Sequence, residues 1–339
     1  MDTNYAALLA GHMRRPLRVD EVEDRFADEN EIVVKTRAVS INNIDNVMQD
    51  KPWDVFAYPL ILGTDVAGEV VEVGSLVTHI GVGDRVLGHA LRLATEDDRH
   101  GAFQNYAVLM SNMACTIPPT LSYESAAVLP LGVSTASAAL FQEDTLGLQP
   151  PSVNPQKQGS WVIVMGGAGS VGSNGVRLAT AAGYDVIATA SPKDFGVVKK
   201  LGAVLTIDYN SPQLADDLVR ALSGKKVAGA FDANGKKDPI EAAVTAISKC
   251  NGNKVVASVA DWIDPEWILP GVKAVTILAI GIRNNNVGKM VYEDYLPHAL
   301  AAGKYTSYPE PYVFGDGLGS IQGALDFKSK GKKVVVTLT

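Results

Sequence analysis

The chain has 339 residues, more than one hydrophobic core usually supports, so we expect two domains. Its composition, 47% hydrophobic and 20% charged, is that of an ordinary globular protein, and a net charge of −7 without a basic tract argues against nucleic acid or an anionic membrane as a partner. Residues 1–18 lack a continuous apolar segment and no run of about 18 apolar residues occurs, so we expect a cytoplasmic protein. The two cysteines, Cys115 and Cys250, are too few for a disulfide framework or a four-cysteine zinc site.

The first third of the chain has β character. Strands are predicted at residues 31–39 and 66–73, bounded by turn residues. The pattern changes near Ser122, which is a typical helix-start residue, and residues 135–141 are predicted to be helical. A proline-rich loop at 149–158 then leads into the next predicted strand.

A dinucleotide-binding fingerprint follows this loop. The apolar run 161–165 predicts a buried parallel strand, and Gly167, Gly169 and Gly172 come after it with the GxGxxG spacing. A helical stretch and a second strand at 184–189 complete the expected strand–turn–helix–strand unit. The first glycine would permit the tight turn, the second would let the backbone approach a pyrophosphate, and the third would let the helix pack closely on the strand. The alternative is a glycine turn in an α/β protein that binds no nucleotide.

Strands alternate with helices over residues 204–282, with the last of these strands predicted at 275–282. This order predicts a parallel, doubly wound sheet. The chain ends on a predicted strand at 333–339, and the β-rich first part is the best candidate to pair with it. We therefore predict an α/β protein with a discontinuous catalytic domain, residues 1–130 and 285–339, around a nucleotide domain at 131–284.

Five short segments add to this organisation: 59–63 (PLILG), 65–74 (DVAGEVVEVG), 82–86 (VGDRV), 101–108 (GAFQNYAV) and 126–130 (AAVLP). Together they resemble the medium-chain dehydrogenase/reductase superfamily, and this resemblance implies a GroES-like catalytic domain and a Rossmann domain. Residues 129–139 (LPLGVSTASAA), the proline-rich loop and the motif Asn42-Asn-Ile-Asp45 are most similar to fungal stand-alone enoyl reductases that work in trans with polyketide synthases.

Zinc-dependent members of the superfamily carry a cysteine near residues 42–45, a His-Glu pair after the signature glycine and four closely spaced cysteines in a structural lobe. Here the first two positions have Asn42 and Thr64-Asp65, and residues 85–114 contain no cysteine. A catalytic zinc needs about three N, O or S protein ligands. The resemblance therefore implies the zinc-free branch, with quinone oxidoreductases and enoyl reductases, and we predict no metal site.

NADPH is the predicted cofactor. Ser191 and Lys193, at the end of the second Rossmann strand, offer a donor and a cation suited to a 2′-phosphate, whereas Asp194 would repel it. The resemblance implies that Tyr209 also lies near that phosphate. The alternative is that Ser191, Lys193 and Tyr209 are solvated loop residues that do not contact the cofactor. The other predicted cofactor contacts are Asn42, Asn43, Asp45, Gly166, Gly167, Ala168, Gly169, Ser170, Val171, Gly172, Ser173, Ser258, Val259, Lys332 and Lys333. Instead of contacting the cofactor, Asp45 could cap the following turn, and Lys332 and Lys333 could be a solvated pair on the surface.

The resemblance implies that Thr135 meets the nicotinamide, in a helix whose first residues, 134–137, direct their amides toward the ligand. The predicted chemistry is hydride transfer to the β-carbon of an enone or enoyl thioester, with donors for the enolate oxygen around residues 131–135 and Gly281. Tyr58 or water would supply the proton, because the tyrosine of some zinc-free enoyl reductases is Trp53 here. The predicted substrate contacts are Leu131, Gly132, Ser134, Gly281 and Ile282.

Three functions stay open at this level. The first is NADPH-dependent reduction of an enoyl thioester, a polyketide intermediate presented by a partner synthase. The second is quinone or alkenal reduction on free small molecules, and the third is a non-catalytic nucleotide-binding protein. The intact glycine loop favours catalysis over the third.

Overall fold

The computed structural model describes residues 3–339, which form two compact units. The first unit contains the described residues up to Leu131 together with Tyr292–Thr339, and the second contains Gly132–Val291. The chain thus leaves the first unit once and returns to it for its last segment.

The first unit begins with a β-rich segment. Its elements are β1 (Tyr5–Leu9), β2 (Arg18–Glu21), β3 (Glu31–Ser40), α1 (Asn43–Asp50), β4 (Leu60–Ile61), β5 (Asp65–Val73), β6 (Arg85–His89), α2 (Arg92–Thr95), β7 (Tyr106–Met110), β8 (Ala114–Thr116) and α3 (Tyr123–Ala127). Strands β2, β1 and β4 form one small sheet, and β3 pairs antiparallel with β5 and β7 in a larger one. Ile32, Val34 and Val39 of β3 are fully buried, so the core of this unit lies against β3.

The next segment is a parallel sheet with helices between its strands. Its elements are α4 (Pro130–Phe141), β9 (Trp161–Met165), α5 (Ser170–Ala181), β10 (Asp185–Ala190), α6 (Phe195–Lys200), β11 (Leu205–Asp208), α7 (Leu214–Leu222), β12 (Lys226–Asp232), α8 (Lys237–Ser248), β13 (Asn251–Gly252), β14 (Val255–Ser258), β15 (Lys273–Thr276) and α9 (Asn286–Lys289). The strand order β11-β10-β9-β12-β14-β15 reverses direction at β9, which is the doubly wound Rossmann arrangement. The predicted fold class is confirmed.

The chain then returns to the first unit. Its last elements are α10 (Leu296–Ala301), β16 (Pro311–Asp316), α11 (Ile321–Asp326) and β17 (Lys333–Thr337). Strand β17 pairs antiparallel with β3, with Val335 opposite Ser40 and Thr337 opposite Ala38. The predicted pairing of the terminal strand with the β-rich segment is confirmed.

Two predicted elements are wrong in their bounds. The helix predicted at 135–141 begins at Pro130, where a proline costs no hydrogen bond because the first-turn N–H groups have no partner in the helix. Thr135 is therefore in the second turn and not at the amino end. The strand predicted at 275–282 ends at Thr276, and a 3₁₀ helix covers Ala279–Asn284, because Gly281 N–H bonds locally to the Leu278 carbonyl (3.0 Å).

Residues 123–141 are long and apolar enough to cross a membrane by length and composition alone. However, 83% of this stretch is buried inside the protein, and it is divided into the two helices α3 and α4. Both features are typical of core helices.

Candidate functional site

The glycine loop lies between β9 and α5 in the second unit. Gly166 has a φ of +81°, a conformation that favours glycine. The N–H of Gly166 donates to Thr189 Oγ1 (3.0 Å) and that of Gly167 to the Thr189 carbonyl (2.8 Å). Gly169 N–H then donates back to the Gly166 carbonyl (3.0 Å), which closes the turn. The end of β10 therefore holds the loop in place.

The three fingerprint glycines are required for different reasons. A Cβ on Gly167 would lie 2.8 Å from Ala188 Cβ, and one on Gly172 would lie 2.2 Å from the Gly166 carbonyl oxygen. At Gly169 the nearest atom would be 3.5 Å away, an ordinary contact, and φ is −75°. Packing within the protein thus explains Gly167 and Gly172 but does not require a glycine at 169. A pyrophosphate close to the backbone would require it.

The hydroxyl group of Ser170 also favours a bound phosphate at this loop. It is the first residue of α5, and its Oγ is buried without a hydrogen-bond partner among the described residues. An unpaired buried hydroxyl is costly unless something bonds to it. The loop and the first turn of α5 therefore fit a dinucleotide phosphate, which amino ends of helices favour.

The ends of β10 and β11 bring two of the predicted phosphate-selecting residues together. Ala190 pairs with Asp208 in the sheet, and Tyr209 N–H donates to the Ala190 carbonyl (3.2 Å), so Ser191 and Tyr209 follow adjacent strand ends. Lys193 is exposed in the 3₁₀ turn Pro192–Asp194. The Asp208 carboxylate accepts from the backbone N–H of Asn210 (2.9 Å), within its own turn.

Asp232, which sequence reasoning did not single out, joins the ends of β12 and β14. Its carboxylate accepts from Ser258 Oγ (2.6 Å) and from the backbone N–H groups of Asn234 (3.1 Å) and Gly235 (3.0 Å). Burial raises the pKa of Asp232 above its ordinary value, against these three donors. Asp232 therefore fixes Ser258, a predicted cofactor contact, and the loop after β12. An aspartate that ends a buried strand before Ala-Asn-Gly is the signal that could have revealed it.

The predicted polar residues of the first unit form one buried cluster around Asp65. Asp65 Oδ2 accepts from Ser40 Oγ (2.5 Å) and Asn42 Nδ2 (2.7 Å), and lies 3.6 Å from Lys333 Nζ. Asn42 Nδ2 also donates to Thr64 Oγ1 (2.9 Å), and Asn42 Oδ1 accepts from Lys333 Nζ. All five side chains are buried. The cluster joins β3, β5 and β17, which are far apart in the sequence.

Asp45 caps helix α1, as one of its two predicted roles requires. Its Oδ2 accepts from the backbone N–H of Asn42 (2.7 Å). Burial raises the pKa of Asp45 to about 7. The nearby charge of Asp65 also raises this pKa, whereas hydrogen bonds from the backbone and the charge of Lys333 lower it. Asn43 is exposed at the first position of α1.

His89 is a further buried titratable group that sequence reasoning did not single out. It lies opposite Asp65 in the pairing of β5 with β6, and its Nδ1 has no hydrogen-bond partner among the described residues. Burial lowers the pKa of His89 to about 4, against the attraction of Asp65. His89 is therefore neutral at neutral pH.

Two of the backbone donors predicted for an enolate oxygen are already engaged. Leu131 N–H donates to Asp65 Oδ1 (2.7 Å), and Gly281 N–H donates to the Leu278 carbonyl (3.0 Å). In this structure each of these two N–H groups therefore already has an acceptor within hydrogen-bond distance. Stabilisation of an enolate by the other groups around residues 131–135 stays a prediction.

The other predicted substrate residues, and Thr135 as the predicted nicotinamide contact, lie in the second unit. Ser134, Thr135 and Ile282 are buried. A Cβ on Gly132 would lie 2.5 Å from Asn174 Nδ2, so close packing of α4 on α5 accounts for this glycine.

Tyr58 and Lys332 complete the predicted set. The Tyr58 hydroxyl is buried without a hydrogen-bond partner in the described chain, and its ring lies 4.7 Å from that of His12. Lys332 is exposed and forms an ion pair with Glu310 (3.3 Å). The two predicted lysines thus have different surroundings, since Lys333 is buried.

The donor atoms at Asn42, Thr64 and Asp65 do not fit a zinc ion. The amide nitrogen of Asn42 donates to both of the other residues, and its oxygen accepts from Lys333, so the Lys333 ammonium already supplies a positive charge there. Among residues 3–339, no group of three or more His, Cys, Asp or Glu side chains is placed to hold a metal ion.

Comparison with known proteins gives two family models and relatives of the same length. The models are the alcohol dehydrogenase GroES-like domain, over residues 28–119, and zinc-binding dehydrogenase, over residues 170–268. The chain is 44% identical to the zinc-binding alcohol dehydrogenase domain-containing protein cipB of Emericella nidulans, over 99% of this chain and 98% of that protein. It is 35% identical to the trans-enoyl reductase himH of Aspergillus japonicus, again over 99% and 98%. The crystal structure of Escherichia coli quinone oxidoreductase complexed with NADPH matches with a TM-score of 0.67 at 22% identity, over 99% of both chains.

Proposed function

The chain belongs to the medium-chain dehydrogenase/reductase superfamily of oxidoreductases, and from this premise we propose that it reduces the α,β double bond of an enoyl thioester with NADPH. When bound, the nicotinamide supplies the hydride, and the protein supplies binding, orientation and charge. The glycine loop, with its unexplained glycine at 169, would hold the pyrophosphate. Ser191, Lys193 and Tyr209 would hold the 2′-phosphate.

One observation carries the choice of reaction: the donor atoms at Asn42, Thr64 and Asp65 are bonded to one another and to the Lys333 ammonium. Oxidation of an alcohol by this family requires a Lewis acid that lowers the pKa of the hydroxyl group. A lysine ammonium is a point charge without open coordination positions, so it does not replace that function. Reduction of a conjugated double bond needs no such Lewis acid, because the thioester carbonyl already activates the β-carbon.

Protonation of the α-carbon completes the reduction. We assign the proton to Tyr58, with water as the alternative. A buried hydroxyl without a partner favours this assignment, because a ligand or a bound water would give it the missing hydrogen bond. Tyr58→Phe should then lower kcat without changing the affinity for NADPH.

The substrate would be an acyl chain carried by a synthase. The full-length similarity to the trans-enoyl reductase himH supports an enoyl substrate, and its delivery as a thioester by a separate synthase is part of the proposal. The second candidate is reduction of free quinones or alkenals, which the fold shared with Escherichia coli quinone oxidoreductase favours.

Steady-state rates with three substrate classes test the proposal. With NADPH we expect crotonyl-pantetheine to be reduced faster than a simple quinone, and ethanol not to be oxidised at a comparable rate with NADP⁺. The protein should contain no stoichiometric zinc and keep its activity in a chelator. The exposed variant Asp24→Asn serves as a matched control for handling and folding.

Each other outcome selects a different function. Faster reduction of the quinone would establish the second candidate. Binding of NADPH without turnover of any substrate would identify a non-catalytic nucleotide-binding protein. One zinc per chain, with activity lost on chelation, would restore alcohol oxidation.

A further inference from the structure

Lys333 is a buried lysine whose ammonium contacts side chains of its own unit. Its side chain is only 8% exposed, its Nζ donates to Asn42 Oδ1, and Nζ lies 3.6 Å from Asp65 Oδ2. Its backbone N–H donates to the Glu310 carbonyl (2.9 Å), which fixes the start of β17. Lysines are almost never buried unless they are paired, so the ion pair with Asp65 accounts for its position.

Asp65 is the acceptor through which this charge acts. It has no exposed surface, and it accepts hydrogen bonds from Ser40, Asn42 and the backbone N–H of Leu131. A fully buried carboxylate is strongly unfavourable without a counter-charge. His89, its neighbour on β6, does not supply one at neutral pH, because burial lowers the pKa of that imidazole to about 4. Lys333 does.

We infer that Lys333 is an internal cation that holds Asp65 in place and, through Asp65, the start of helix α4 at Leu131. It is a positioning residue rather than a cofactor ligand. The start of α4 is held from a second side by the Tyr292 hydroxyl, which donates to the Pro130 carbonyl (2.8 Å). The expected effect on turnover rests on the proposed function, because Leu131 is a predicted substrate contact.

This role differs in its consequences from the cofactor contact predicted for Lys333 from the sequence. A cofactor ligand contributes to NADPH affinity and little to folding. A positioning cation contributes to the stability of the first unit and to substrate turnover, and leaves NADPH affinity unchanged. Removing the Lys333 ammonium leaves the buried Asp65 carboxylate without a counter-charge, which lowers stability. Neutralising Asp65 at the same time should restore that stability.

The test is a double-mutant cycle of Lys333→Met, Asp65→Asn and the combined variant in the full-length protein, with Lys333→Arg as the conservative change. Lys330→Met, three residues away, exposed and not among the predicted contacts, is the matched control. Thermal melting, NADPH titration, and kcat and KM for crotonyl-pantetheine are measured for each protein. Hydrogen exchange in peptides covering residues 126–134 reports on the start of α4.

For Lys333→Met we expect the melting temperature to fall by roughly 5–10 °C. We also expect faster exchange at residues 126–134, at least a tenfold loss of kcat/KM, and an NADPH Kd within about twofold of the native value. The combined variant should recover at least half of the lost melting temperature, and Lys333→Arg should keep most of the activity. Lys330→Met should behave as the native protein.

If Lys333→Met does not fold, recovery of folding in the combined variant supports the inference, and failure of both overturns it. It is also overturned if NADPH affinity falls tenfold or more at an unchanged melting temperature, or if the two substitutions are additive in stability. A native protein that reduces no enoyl thioester would refute the proposed function instead. The melting cycle and the NADPH titration would still decide the role of Lys333.

Discussion

Replacing Asp45 by asparagine should change how the stability of the first unit depends on pH. The carboxyl group is buried, caps α1 through the N–H of Asn42 (2.7 Å), and has a pKa that burial raises to about 7. Asparagine has nearly the same shape, and its side-chain oxygen can accept the same hydrogen bond, but it carries no charge at any pH. The substitution therefore removes the ionisation and keeps the cap.

The direction and size of the effect follow from the two pKa values of Asp45. Its ordinary pKa is 3.8, so between about pH 4 and pH 7 the folded protein holds a proton that the unfolded chain has lost. The stability that this proton contributes is fully present below pH 4 and is lost as the pH rises through 7. From pH 5 to pH 8 the loss is about 2.5 kcal/mol, at about 1.4 kcal/mol for each pH unit well below the folded pKa. Relative to the native protein, Asp45→Asn should gain that amount over this range.

Urea unfolding between pH 5 and pH 8 measures this gain. Trp53 reports on α1, because its Nε1 donates to the Val47 carbonyl (3.3 Å) in that helix. The other three tryptophans, at 161, 262 and 267, lie in the second unit and would be replaced by phenylalanine in every protein compared. Asp24→Asn, an exposed carboxyl in the same unit, is the control and should give a flat difference. A flat difference for Asp45→Asn as well would mean that Asp45 titrates at an ordinary pKa, and would refute the reasoning.

Three further predictions test the nucleotide half of the site. Gly169→Ala should raise the NADPH Kd at least tenfold and leave the melting temperature unchanged. Gly172→Ala should lower the melting temperature, because its Cβ would lie 2.2 Å from the Gly166 oxygen. An equal loss of stability in both variants would mean that packing requires the glycine at 169. Lys193→Ala should weaken NADPH binding by roughly ten- to a hundredfold, since a charge-assisted hydrogen bond contributes about 1.5–3 kcal/mol, and should barely change NADH binding. Titration of both cofactors decides this, with the exposed Lys199→Ala as control, and equal losses would make Lys193 a surface lysine. Asp232→Asn places an amide group beside the backbone N–H groups of Asn234 and Gly235, so the free energy of unfolding should fall by about 1–3 kcal/mol and NADPH affinity should fall with it. An unchanged NADPH Kd and melting temperature would show that the loop after β12 does not depend on this carboxylate.

The Rossmann half was predictable because its signals are local. The strand Trp161–Met165 lies at its predicted bounds, since an apolar run followed at once by a glycine turn occurs within a few residues. The strand β2 (Arg18–Glu21) had no such signal, because all four of its residues are exposed and no alternation marks a buried face. Local periodicity detects an element only where one of its faces is buried.

The cluster around Asp65 was only partly predictable. Asn42, Asp45 and Lys333 were all predicted at the site, but the bond between Asn42 and Lys333 depends on the pairing of β17 with β3. The same holds for Leu131, whose N–H was expected to face a ligand and instead donates to Asp65. Which polar groups satisfy each other in the folded protein is a tertiary property, and a sequence pattern gives the residues without their partners.

The groups most informative about a ligand are those that the packing of the protein leaves unexplained. Gly167, Gly172 and Lys333 each have a sufficient reason inside the molecule, so their presence alone does not imply a bound cofactor. Gly169 has none, because a side chain would fit there, and the buried hydroxyl groups of Ser170 and Tyr58 have no partner within residues 3–339. A free energy cost that the fold does not itself offset is expected where a ligand completes the structure. The Gly169 and Ser170 positions favour a dinucleotide at the loop, and Tyr58 favours a polar substrate group in the first unit.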